Sequence, residues 1–211
     1  MKLLSFALII FSFTSINFAQ NAEQNFKIRQ LDEKLKIGIT PDSLNAILEA
    51  GKSGDRSFIP YLRKLALQPE NSDALHTASS YAQIALASLG EEEYISSILK
   101  QVDDENIFRQ NIGIQKLAYV KGKIALKTFY RLLDDTKYRV ETLSPKEIEY
   151  AKKNGLGIRK GDEMLEPRSI LAMEMLVKIV PNPPISPGVK PTIQDIEIWK
   201  QWFITNKYLI E

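Results

Sequence analysis

The densest run of groups able to grip a partner lies between Thr136 and Lys160. Seven basic residues, Lys137, Arg139, Lys146, Lys152, Lys153, Arg159 and Lys160, outnumber three acidic ones there, and Tyr138 and Tyr150 are interleaved with them. Cationic side chains beside aromatic rings suit an acidic protein segment, a polyanionic glycan or a phospholipid surface. We therefore take Lys137, Tyr138, Arg139, Tyr150, Lys152, Lys153, Arg159 and Lys160 as the candidate binding residues. The plainer reading is a solvated excursion from the fold. Binding residues nonetheless concentrate in loops carried by a rigid scaffold.

Elsewhere the chemistry is thin. Cysteine is absent, which excludes disulfides, thiolate catalysis, cysteine metal sites and a lipid-bearing cysteine anchor. The single histidine, His76, rules out a multi-histidine metal centre, and within a helix it reads as structural rather than as a general base. Glu91-Glu92-Glu93, Asp103-Asp104 and Asp134-Asp135 pair carboxylates, but at helix starts and turns, where they favour the helix dipole or cap the next helix. Trp199 and Trp202 are of the type that forms a sugar or peptide platform, yet an i, i+3 spacing on an amphipathic helix points to core. The chain carries no G-x-S-x-G, H-E-x-x-H, P-loop, G-x-G-x-x-G or calcium-loop signature. No catalytic residue, metal site or cofactor is assigned. A net charge of +2 with interleaved signs argues against a nucleic-acid partner.

The elements that hold these residues are helices in a repeating order. Thr40-Pro41 opens one with an N-cap and a first-turn proline, and Leu44, Ile47 and Leu48 form its stripe; Gly51 and the KSGD run stop it. SFIPYLRKLAL, EEYISSILKQVDD and IALKTFYRLLDD are three apolar-striped outer helices. An Ala-rich helix capped by Ser72 or Asp73 and ending at Gly90 follows the first, and a helix from Ile107 to Val120 follows the second. SSILKQVDD aligns with KTFYRLLDD at residues 96 and 127, and PYLRKLALQ aligns with SSILKQVDD at residues 60 and 96. Offsets in this range mark helical repeats.

The phrase FIPYLRKLA, the turn DENIFR from Asp104 to Arg109, and the endings QIALASLG and GIQKLAYVKG resemble the HEAT-repeat family. The resemblance implies an all-α superhelix, with Asp104 and Arg109 at the turn-aspartate and inner-helix-arginine positions that support packing of successive repeats. The first repeat departs from it, with Leu75 and His76 where an arginine belongs. It also implies a surface offered to other proteins.

The third pair is interrupted by an insertion, 136–166, in which Ser144-Pro145-Lys146-Glu147 starts a helix and LGIRKGDEM reads as a tight hairpin or turn. Arg168 then stands at the start of the returning helix, about where Arg109 stands in its own repeat. A proline-rich loop, 181–191, leads to an amphipathic helix, 192–209, suited to capping the stack. At the other end, Lys2 and the apolar run LLSFALIIFSF read as a signal peptide, 1–19, cut near Ala19; the run is shorter than the ~20 residues of a spanning helix.

The expectation is a HEAT-like solenoid of about four helix pairs, a single domain over 20–211. It would be exported to the periplasm or secreted, non-enzymatic, and bind a protein or peptide. The alternatives are a cell-envelope enzyme or enzyme accessory acting on a glycan or peptide polymer, and a structural spacer.

Overall fold

A computed structural model describes residues 27–36, 38–67, 77–120, 122–141 and 163–210. The expected signal segment, His76 and the helix expected from Ser144 lie outside the described residues. What is described is helical apart from one short ladder, in agreement with an all-α chain. Two compact units divide it, Met1–Tyr94 and Ile95–Glu211.

In the first unit, α1 covers residues 27–36 and α2 covers Pro41–Lys52. Thr40 caps α2 as its sequence predicts: its Oγ1 accepts from the Ser43 N–H at 3.2 Å, and Ser43 Oγ accepts from the Thr40 N–H at 2.8 Å. A 3-10 turn, Arg56–Phe58, leads into α3, Ile59–Ala66, whose first turn accommodates Pro60. The Ala-rich α4 runs Ala78–Ser88 and packs on both α2 and α3. Thr77 caps it, its Oγ1 accepting from the Ser80 N–H at 3.0 Å, rather than Ser72 or Asp73. Leu44, Ile47, Leu62, Ala82, Ala85 and Leu86 form the centre of the buried cluster.

Gly51 does not stop α2. It lies inside the helix, and a Cβ there would stand 2.5 Å from the Ala85 Cα. The glycine is therefore a contact point that lets α2 approach the backbone of α4. The stop comes beyond Lys52, where Gly54 takes a φ of +75°.

Two polar clusters tie the unit's surface. Glu91, only 10% exposed at its side chain, accepts ion pairs from Arg56 and Arg63, and Arg56 Nη1 also donates to the Leu89 carbonyl at 2.9 Å. The Tyr61 hydroxyl donates to Asp32 at 3.0 Å, and Lys36 pairs with the same carboxylate at 2.9 Å. Burial, then the Asp32 hydrogen bond, push the Tyr61 phenol well above the ordinary tyrosine range. A folded pKa above the unfolded one contributes stability that is complete below the unfolded value, about 10, and is lost as pH rises beyond it. Urea midpoints measured from pH 8 to pH 11 should therefore fall at the alkaline end by less in Tyr61→Phe than in the parent. Equal alkaline losses would remove Tyr61 as the cause.

The helix α5, Glu92–Val102, contains the boundary between the units. In the second unit lie α6, Ile107–Leu117, and α7, Lys123–Leu132. Asn106 caps α6, accepting from the Arg109 N–H at 3.1 Å. Gly113 repeats the role of Gly51: a Cβ there would stand 2.5 Å from the Val102 N. Beyond α7, β1, Arg139–Glu141, pairs antiparallel with β2, Glu163–Leu165, in the register Arg139 to Leu165. Then come α8, Arg168–Ile179, and α9, Ile196–Thr205. The α8 helix packs against α6, α7 and α9, around fully buried Phe129, Met173, Leu176, Trp199 and Phe203.

The turn aspartates do not cap the helices that follow, whose N-caps are Asn106 for α6 and Pro167 for α8; they make turn and ion-pair contacts instead. Asp104 Oδ1 accepts from the Asn106 N–H at 2.8 Å, and its other oxygen lies 3.8 Å from Arg109 Nη1. Asp103 accepts from Arg131 at 2.8 Å, and Asp134 pairs with Lys200 at 2.8 Å. Asp135, one 31-residue offset beyond Asp104, takes Arg168 Nε at 2.5 Å. The pairing of a turn aspartate with an arginine at the start of a following helix is thus kept although residues 136–166 intervene.

Candidate functional site

The described part of the interrupting segment is its stem. Strands β1 and β2 hold residues 139–141 against 163–165. Continuing the register one step outward sets Tyr138 opposite Glu166, and both line an open cleft of about 300 Å³ at the foot of the stem. The rest of the lining is Ile170, from the first turn of α8, and Lys190 to Gln194, where the proline-rich loop enters the last helical segment.

Each wall has a local cause. The loop from Pro181 cannot be helical through its prolines, and it turns at Asn182 and Gly188 with φ of +50° and +89°. Ile185 is buried and pins the loop to the body of the unit. Lys190 Nζ then reaches Glu166 Oε1 at 2.6 Å, fastening the loop to the stem's exit. The hydrogen bond and charge of Glu166 hold the Lys190 ammonium above the ordinary lysine range, so it stays charged. Thr192 opens the next turn with a capping box, Asp195 Oδ2 accepting from its N–H at 2.7 Å and its hydroxyl at 2.8 Å.

Inside the cleft, Ile170 is 4% exposed and Pro191 is buried, giving an apolar floor. Tyr138 is 51% exposed. Among the described residues its hydroxyl and the Gln194 amide make no hydrogen bond. The site thus offers a ring, an amide, a carboxylate and an ammonium over a small greasy base. That inventory suits reversible binding.

Of the eight residues proposed from the sequence, Tyr138 lines the cleft and Lys137 stands exposed beside it. Arg139 is the first residue of β1. Tyr150, Lys152, Lys153, Arg159 and Lys160 lie outside the described residues. Sequence reasoning missed Glu166, Ile170, Lys190 and Gln194. The only signal was the proline-rich loop itself, ordered by proline and one apolar anchor rather than by a helix. Among the described residues, no group of three metal-ligating side chains could hold a metal, and no helix is long and apolar enough to cross a membrane. No family model matches the chain, and no curated protein or solved structure matches it either.

Proposed function

We propose that this chain is an exported, non-enzymatic scaffold of HEAT-like helix pairs that binds a protein or peptide through the segment interrupting its third pair. The observation that carries the reading is the Asp135–Arg168 pair. It repeats the Asp104–Arg109 relation across a long interruption, and so ties the two ends of the inserted segment together. A scaffold that tolerates an insertion in this way separates folding from recognition. The inserted segment is then free to carry binding groups, and its tyrosines and arginines are the residue types that anchor contact surfaces. Helical repeats bury one side of each pair against its neighbours and leave a second side continuous, which favours extended protein partners.

The reading is tested by affinity capture from an envelope extract. It continues with purification of the captured protein and titration against the parent chain and a Lys137→Glu/Tyr138→Ala variant. The dissociation constant should rise about tenfold or more, as expected when an aromatic anchor and a rim charge are lost. A partner that binds the variant as tightly as the parent would move the interface away from this segment.

A further inference from the structure

The cleft at the foot of the stem has a chemistry of its own. Its charged groups are already matched: Lys190 and Glu166 neutralise each other at 2.6 Å. An anionic or cationic ligand would have to break that pair to gain a counter-ion. Among the described residues, the groups left open are the Gln194 amide, which both donates and accepts, the Tyr138 hydroxyl and the unused valences of the ion pair. They surround a small apolar floor of Ile170 and Pro191 beside a half-exposed tyrosine. Side chains that anchor a protein or peptide fill well-packed, fully desolvated pockets, and this cleft is open. A ligand with closely spaced hydroxyls and one apolar face matches this arrangement better. The volume, about 300 Å³, lies at the lower end of ligand pockets, and the cleft is open to solvent, so a single sugar ring can enter it from the surface.

We propose that this cleft is a saccharide-binding site that takes an uncharged sugar ring of a glycan. The Tyr138 ring lies against the sugar's apolar face, and Gln194 and the Glu166–Lys190 pair take its hydroxyls. The site goes beyond the protein-partner reading and shares Tyr138 with it, whereas Gln194, Glu166 and Lys190 belong to this cleft alone.

The test is saturation-transfer difference NMR on the whole chain with three neutral trisaccharides, N,N′,N″-triacetylchitotriose, cellotriose and maltotriose, and an end-blocked, uncharged proline-leucine tetrapeptide. At least one trisaccharide should give a saturable signal. Tyr138→Ala should weaken it about tenfold, as should Gln194→Ala, whereas Tyr138→Phe should stay within about threefold of the parent. Unchanged circular dichroism shows that the variants fold. The proposal is overturned if none of the three sugars saturates. It is also overturned if both alanine variants bind like the parent, or if the tetrapeptide binds and displaces the sugar. Retained protein-partner capture in Gln194→Ala, with sugar binding lost, separates this site from the one under Proposed function.

Discussion

Trp199→Ala should destabilise the second unit by about 3–5 kcal/mol, the usual cost of deleting a buried large aromatic. Trp199 is fully buried on α9, with Trp202 edge-on at 5.7 Å, and α9 packs on α8. Phe203, on the same helix, meets Tyr130 of α7 edge-on at 5.1 Å. Emptying the tryptophan position leaves a cavity that rigid helices cannot close. Trp199→Phe should cost far less, because the indole N–H is buried with no hydrogen-bond partner among the described residues. Removing it relieves an unmet donor, worth about 1–3 kcal/mol, which offsets much of the lost volume. Denaturant unfolding of the two variants checks this. A phenylalanine variant as unstable as the alanine one would mean that the indole N–H is satisfied in solution.

Arg168→Met should cost about 2–3 kcal/mol. Arg168 is 19% exposed and Asp135 16% exposed, and two guanidinium nitrogens lie 2.5 Å from the same Asp135 oxygen. Nη1 also donates to the Val102 carbonyl at 3.0 Å, so one side chain joins the end of α5, the turn after α7 and the start of α8. Removing one partner of a buried ion pair costs about 3–5 kcal/mol, and the partial exposure lowers that figure. Arg168→Lys should recover little, since an ammonium cannot span the carboxylate and the carbonyl together. Adding Asp135→Asn to Arg168→Met should restore part of the loss by removing the stranded charge. A double-mutant cycle reads the coupling directly, and a coupling near zero would reduce the pair to an incidental contact.

These two residues also mark what the sequence made legible. The helix stripes, Thr40 with Pro41, Pro60 in its first turn and the stop at Gly90 are local signals, and each is found where its neighbours put it. Gly51 was misread because its reason is not local. Its role is set by Ala85 on another helix, and a glycine used for close approach looks the same in sequence as one used to end a helix. The three-residue strands β1 and β2 are too short to show an alternating pattern, so their pairing was invisible. The cleft was half legible. Tyr138 stood out beside basic neighbours, but Glu166, Lys190 and Gln194 meet it only through the stem and the proline-rich loop.

The claim that recognition resides in the segment interrupting the third pair is tested most directly by photo-crosslinking in cells. A benzoylphenylalanine replaces Tyr138 in one strain and exposed Lys100, on α5, in another. The account predicts a discrete protein adduct from position 138 that disappears when Lys137→Glu is added, with no such adduct from position 100. No protein adduct at 138, or the same adduct from both positions, would contradict it.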